Sequence, residues 1–349
     1  MSDRLGIGIV GFGRIGAEHA GWIGRTTNAR VAAVADPTDA RATKAAETGA
    51  PVYRRIEDLL QDRQVEAVLV STPTSLHFEQ AMTALRSGRH AMIEKPMAMD
   101  IVQASELLDE ARRRKLVLSV FHNRRWDPDY LAVGEAIKSG VMGKIINIES
   151  RLGQWGSCVG PATPDWRPNW RNEAEWGGGG LFDWGSHFID QLWRLMWPDL
   201  PVRIFAQLRG NVWTRDSDDL ARVLIDFESG AVGLVEINTT TMRPLPRWHV
   251  DAACGTAESP FSLEFDVNRW AEIDFWPAEG GEVRRFPGVA GGMSETAIWE
   301  QFAAAARGNG QPAVPAPSVM LTMALLDMAR ESNRLGIAIP IAPSEQWVY

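Results

Sequence analysis

Short apolar blocks alternate with amphipathic segments along the first third of the chain. Residues 5–10 (LGIGIV), 30–36 (RVAAVAD), 65–73 (VEAVLVSTP), 90–96 (HAMIEKP) and 116–122 (LVLSVFH) are near-continuous apolar runs of strand length. Such runs fit strands buried on both faces. Between them, residues 14–26, 38–48, 56–62, 76–88 and 100–114 carry helical patterns. This alternation predicts βαβ units and a parallel sheet covered by helices. Residues 127–140 then read as a connecting helix stopped by Gly140.

The character changes after residue 143. Long alternating runs fill 144–155, 202–213, 220–240, 247–257 and 261–276, with a turn signal at Ser229-Gly230. A helix is expected within 177–197, directly after four glycines, and two more near 295–307 and 318–334. The expected fold is an α/β N-terminal domain with a parallel sheet (residues 1–122), plus an α+β C-terminal domain (residues 123–349) with a large open, mostly antiparallel sheet.

Size agrees with two domains, since 349 residues exceed what one hydrophobic core usually supports. Apolar residues at 45% and charged residues at 23% fit an ordinary globular protein. A net charge of −8 argues against nucleic acid as a partner, because phosphate binding needs a surplus of Lys and Arg. No apolar run reaches membrane-spanning length, and the N-terminus lacks the pattern of a secretory signal. Cys158 and Cys254 are the only cysteines. Two lone thiols suit a reducing cytoplasm, which is the expected location.

Candidate chemistry begins at residues 11–16 (GFGRIG). Gly11, Gly13 and Gly16 fall in the G-x-G-x-x-G spacing, with Phe12, Arg14 and Ile15 between them, after a strand and at the start of a helix. That context makes the first domain a Rossmann dinucleotide-binding domain: the glycines allow a tight turn, backbone approach to a pyrophosphate and close helix–strand packing. Asp36 follows Gly16 by twenty residues, where a carboxylate accepts hydrogen bonds from an adenosine ribose. Its charge disfavours a 2′-phosphate, so NAD is expected and NADP is less favoured, unless Arg14 or Arg41 reaches that phosphate.

Ser71, Thr72 and Pro73 fall at the carboxyl end of a predicted strand, the edge where open parallel sheets bind ligands. Thr74 or Ser75 is expected to cap the next helix, and His77 is placed to touch the cofactor. Glu94-Lys95-Pro96 ends another strand at the same edge. Only five lysines accompany thirty-one arginines, so Lys95 is not part of a general lysine surface. On the helix after the glycines, Asp183, His187 and Gln191 share one face beside Asp190 and Arg194, opposite Trp184, Phe188, Leu192 and Leu195. An ordinary surface helix shows the same division. Gly177 to Gly180 favour a second reading, in which the backbone closely approaches a bound molecule.

The ordered set GFGRIG, AD, STPTSLH, EKP, FHNRRWDPDY and GGGGLFDWGSHFID resembles the Gfo/Idh/MocA oxidoreductase family, the glucose–fructose oxidoreductase and inositol dehydrogenase group. The resemblance runs over nearly the whole chain. It implies that Gly11, Gly13, Gly16 and Asp36 hold a dinucleotide, with Ser71, Thr72, Pro73 and His77 near its nicotinamide half and Glu94 on a ribose. It further implies that Lys95, Asp183 and His187 face the reacting carbon, with Asn123 and Arg124 beside the substrate.

On that footing His187 is the proton acceptor, Lys95 stabilises the developing charge on oxygen, and Asp183 orients a neighbouring hydroxyl. No metal is expected, since no cluster has ligand spacing. Trp155, Trp166, Arg167, Trp170, Arg171 and Trp176 precede the helix; they suit a sugar or cyclic polyol, including an anionic one, and equally suit packing at a domain boundary or subunit interface. Three functions compete: an NAD-dependent sugar or polyol dehydrogenase, an NAD-dependent glycoside hydrolase working by transient ring oxidation, and a cofactor-sensing regulator. By analogy a homodimer or homotetramer is expected.

Overall fold

The computed structural model describes residues 4–158, 170–214, 216–260, 272–288 and 292–342. Six parallel strands among these form the first sheet: β1 (Leu5–Val10), β2 (Ala29–Ala35), β3 (Val52–Tyr53), β4 (Ala67–Val70), β5 (His90–Ile93) and β6 (Leu118–Val120), in the order β3-β2-β1-β4-β5-β6. Their side chains are almost all buried, as expected of strands with helices on both faces. The helices are α1 (Arg14–Gly24), α2 (Asp39–Ala46), α3 (Ile56–Leu59), α4 (His77–Arg86) and α5 (Ile101–Arg114). This is the doubly wound Rossmann arrangement that the apolar blocks predict.

Two differences matter for function. β3 has only two residues, too short to leave a hydrophobic signature. β4 and β5 stop at Val70 and Ile93, short of the predicted ends. Residues 71–73 and 94–96 are therefore loop at the carboxyl edge, free to point side chains at a ligand rather than into the sheet.

After α6 (Pro128–Lys138) comes the second sheet, with nine strands among the described residues: β7 (Ile145–Gly153), β8 (Pro201–Arg209), β9 (Leu220–Phe227), β10 (Val232–Asn238), β11 (Trp248–Ala252), β12 (Gly255–Glu258), β13 (Ile273–Pro277), β14 (Arg284–Phe286) and β15 (Ile339–Pro340). The order is β14-β13-β12-β11-β7-β10-β9-β8-β15, antiparallel except where β10 runs alongside β7. α7 (Ser186–Met196) packs on β7 and β10, and α9 (Met320–Leu335) packs on β8.

α8 (Glu295–Ala306) follows β14 of the large sheet in sequence but returns to the first sheet. Ile298, Trp299, Phe302 and Ala303 join Ile7, Ile9, Phe12, Ile23 and Phe121 in one apolar cluster. A second cluster runs without interruption from β4, β5 and α5 through α7 and α9 into the large sheet. The two sheets thus share packed cores, which fixes the edge of one against the other.

Gly16 shows how tightly the glycine loop is built. An added Cβ would sit inside the van der Waals envelope of the Gly11 carbonyl oxygen. Gly16→Ala is expected to force the loop apart and cost roughly 1–3 kcal/mol, the range for overpacking. Chemical denaturation of the variant against the parent chain measures it; an unchanged midpoint contradicts this packing.

Candidate active site

A cavity of about 820 Å³ follows the carboxyl edge of the parallel sheet and ends against α7. It starts among Arg41, Arg54 and Arg55, passes Gly11, Gly13, Arg14 and Ile15, and continues past Ser71, Thr72 and Pro73 to Glu94 and Lys95. Asn123, Arg124, Arg171, Asp183 and His187 close its far end. The shape suits an elongated dinucleotide with a small substrate at one end. The cradle also fits: Gly11 turns the chain at φ +88°, and Gly13 lines the cavity with no protein atom but the Arg41 guanidinium, 3.9 Å away, beside the place of a Cβ.

Phe12 and Asp36 differ from expectation. The Phe12 ring is buried in the core, and only its backbone belongs to the loop. Asp36 is 1% exposed. Its Oδ2 accepts from the Phe12 N–H at 2.7 Å, and its Oδ1 accepts from the Thr38 N–H and hydroxyl, each at 2.9 Å. The carboxylate therefore staples the glycine loop to the end of β2, and only its outer edge meets the cavity.

His77 lines the cavity, with its ring nitrogens turned to backbone. It is buried, with Nδ1 2.9 Å from the Pro96 carbonyl and Nε2 2.9 Å from the Thr72 carbonyl. Both ring nitrogens face backbone carbonyls; a neutral ring donates its single N–H to one of them, so His77 ties the loops after β4 and β5 together at the cavity wall. Burial lowers its pKa. Neither Thr74 nor Ser75 caps the helix, since no side-chain cap bond forms there. Thr74 is buried against Gly177 instead.

The glycines before α7 serve a different end from the one expected. Gly177 (φ +76°) lies where a Cβ would be 2.6 Å from Thr74 Cβ and 2.9 Å from Met99 Sδ. Gly179 (φ +101°) leaves no room for a Cβ beside the Asp218 carboxylate. The close approach is to the protein itself. The run lets the chain thread between the two lobes, and Asp218 accepts from the Leu181 N–H at 2.7 Å. Burial pushes the Asp218 carboxyl up to about 6.

A single π-helical turn, Leu181–Gly185, then feeds into α7. Such turns recur at functional sites. It carries Asp183 to the end of β5, where Lys95 Nζ donates to the Asp183 carbonyl at 2.6 Å and to its Oδ1 at 2.9 Å. Burial alone would raise the Asp183 pKa, but Lys95 and then Arg171 outweigh it and hold the carboxyl below its usual range. Arg171 Nε lies 3.8 Å from the same oxygen.

The surface-helix reading of α7 fails, because every residue from Ser186 to Trp193 is buried. Its polar face is consumed internally. Asp190 accepts from Arg125 Nε at 2.7 Å and from Thr322 at 2.9 Å. Gln191 accepts from Arg247 at 2.6 Å and donates to the Arg124 carbonyl at 2.5 Å. These bonds hold Arg124 at the cavity wall, where its guanidinium lies 4.5 Å from the Trp184 ring centroid.

His187 is 4% exposed. Its Nδ1 is buried without a hydrogen-bond partner among the described residues, so Nε2 is the nitrogen that reaches the cavity. Burial, then the charges of Lys95 and His122, lower its pKa well below 6.5. The ring is therefore neutral at physiological pH and able to accept a proton. His122 meets it edge-on at 5.3 Å, and burial lowers its own pKa to about 4.

Trp155 does not belong to the site. It is 56% exposed and packs edge-on against Trp213 at 5.4 Å, while its neighbour Gln154 lines the cavity. Trp166 and Arg167 lie outside the described residues. Trp170 lines the cavity as the aromatic run suggested, and so do Ser157, Cys158 and Glu295, which carry no motif in the sequence. Glu295 accepts from Asn123 at 3.3 Å and enters only because α8 folds back.

Two family models match the chain. One, described as an oxidoreductase family with an NAD-binding Rossmann fold, covers residues 5–122; the other, the C-terminal domain of the same family, covers 130–258. An uncharacterized oxidoreductase, YdgJ, of Escherichia coli is 32% identical over 220 residues, 62% of this chain and 61% of that protein. The scyllo-inositol 2-dehydrogenase (NADP(+)) IolW of Bacillus subtilis is 27% identical over 225 residues, 64% of this chain and 60% of that one. These matches span about three fifths of each relative's length. The crystal structure of an NAD-binding protein from Listeria innocua superposes with a TM-score of 0.84 at 27% identity, over 97% of both chains. The chain belongs to the Gfo/Idh/MocA family of oxidoreductases.

Proposed function

We propose that the protein is an NAD-dependent dehydrogenase acting on a secondary hydroxyl of a sugar or cyclic polyol. The observation that carries this reading is that Lys95 and His187, from separate lobes, line one end of the cavity whose other end carries the glycine loop. The nicotinamide, when bound, supplies the hydride acceptor. His187 Nε2 takes the hydroxyl proton. Lys95 Nζ donates to the same oxygen as charge develops on it, held in place by Asp183. The indole of Trp184 and the guanidinium groups of Arg124 and Arg171 flank the substrate; Asp127 at 3.1 Å and Asp183 at 3.8 Å already stand beside these cations, so an acid group on the substrate would compete with them. Family membership and the inositol substrate in the name of the Bacillus relative support a polyol-like substrate.

Preference for NAD rests on charge balance at the adenosine end. Arg14 pairs with Glu18, Arg54 with Asp39, and Arg55 with Glu57. Asp36 adds a negative charge there. These pairings and Asp36 tip the balance against a 2′-phosphate, although Arg41 also lines this end and the Bacillus relative is named for NADP. NADH is expected to bind at least about ten-fold tighter than NADPH, ~1.4 kcal/mol. Fluorescence titration measures the ratio; an inverted ratio refutes the NAD assignment.

Catalytic roles are tested with NAD and a panel of inositols, sugars, sugar acids and glycosides. NADH should accumulate with a polyol or sugar. Glycoside cleavage without net NADH would replace the dehydrogenase by the redox-neutral hydrolase. Lys95→Ala and His187→Ala should each lower kcat by about 10²-fold or more while NADH still binds. Wild-type turnover in either variant would remove that residue from the mechanism.

The pH dependence has a definite sign. Protonated His187 cannot accept the substrate proton, so oxidation falls as pH drops through its pKa. Because that pKa is lowered, the acid limb of kcat/KM should lie below pH 6.5. A limb centred at or above that value argues against His187 as the base.

A further inference from the structure

His19 sits on α1, one turn beyond the glycine loop, and its side chain is fully buried. Three aromatic rings enclose it: Trp22 at 4.8 Å, Phe121 at 4.4 Å and Trp299 at 5.5 Å between centroids. An imidazole in such surroundings costs stability unless its nitrogens are satisfied. Both are. Nδ1 lies 3.0 Å from Trp299 Nε1, and Nε2 lies 2.8 Å from Glu94 Oε1.

The chemistry of the partners sets the direction of these bonds. An indole N–H only donates, so His19 Nδ1 accepts and carries no proton. Nε2 then bears the hydrogen and donates it to Glu94. The other Glu94 oxygen accepts from the Lys95 N–H at 3.1 Å. Burial would raise the Glu94 pKa, but the His19 bond and the Lys95 charge lower it. The carboxylate is thereby held ionised and in one orientation where it lines the cavity, immediately before Lys95.

We propose that His19 and Trp299 are positioning residues that orient Glu94 for the dinucleotide, so that α8, contributed from beyond the large sheet, sets cofactor affinity. The proposal rests on the dinucleotide reading given above. Trp299 fixes the His19 tautomer, and the tautomer fixes Glu94. The relay ties the helix that follows the glycine loop to the strand end that carries Lys95. Neither His19 nor Trp299 belongs to the motif residues assigned to the cofactor, and their contact joins positions 280 residues apart.

Two measurements on the full chain test it. With ¹⁵N-labelled histidine, the six rings of the protein are assignable by single substitution. At neutral pH His19 should show a bare Nδ1 and a protonated Nε2, and Trp299→Phe should remove that bias while keeping an aromatic ring. In NADH titrations, Trp299→Phe should weaken binding about three- to ten-fold and His19→Leu by more, the scale of a lost buried hydrogen bond. His19→Gln, whose amide offers one donor and one acceptor, should bind more tightly than His19→Leu. Substrate KM at saturating cofactor should stay near its parent value.

Ile298→Val, which loosens the buried face of α8 while leaving the Trp299 and Phe302 rings in place, controls for packing and should leave NADH affinity unchanged. A proton on Nδ1, wild-type NADH affinity in Trp299→Phe, or equal weakening in Ile298→Val overturns the relay. A parent chain that binds neither NADH nor NADPH overturns the dinucleotide reading instead, and the nitrogen spectra still report the tautomer.

Discussion

The contact on which the site depends is the ion pair between Lys95 and Asp183, formed where two lobes meet. Each side chain comes from an element that cannot reach the cavity alone: Lys95 from the loop after β5, and Asp183 from the π-helical turn before α7. Both are mostly buried, with 16% and 17% of their side-chain surfaces exposed. A buried charge left without its partner is costly, so the pair holds the lobes in one register more than it adds net stability. The pair also ties the ammonium group to the carboxylate, which leaves it aimed along the cavity instead of into solvent.

That register is reached through small residues and large buried networks. Gly177 and Gly179 let the backbone pass within contact of Thr74, Met99 and Asp218, and a side chain at either position would push the lobes apart. Below them, α7 is buried around its whole circumference. Asp190, Arg125, Arg194 and Thr322 satisfy one another there, while Gln191 links Arg247 to the backbone of Arg124. Buried polar networks of this kind specify one arrangement, because a slip leaves a charge unpaired in a dry interior. His187 is consequently presented to the cavity by a helix with no freedom to turn.

The same environment sets the chemistry. Burial and the neighbouring cations keep His187 neutral, while Lys95 and Arg171 keep Asp183 ionised. Two adjacent groups on one short segment thus hold opposite readiness, one able to take a proton and the other to anchor a cation. Pairs of titratable groups driven apart by their surroundings are what acid–base roles require.

Local pattern alone determined much of this. The apolar blocks, the G-x-G-x-x-G spacing and the acid at the end of β2 are set by near-neighbour physics: strand burial, turn dihedrals and helix starts. They identified the parallel sheet and its carboxyl edge, while helical spacing put Asp183 and His187 on one face. What they could not carry was direction and distant contact. Gln154 and Trp155 are neighbours in the sequence, yet one lines the cavity and the other faces outward. Asp36 and His77 were legible as site residues, but their polar atoms turn to backbone groups brought close only by folding. Glu295 and Trp299 had no motif at all, because their roles arise when α8 crosses back to a sheet whose last strand ended at Val120. Periodicity records which residues share a face; only tertiary packing decides what that face meets.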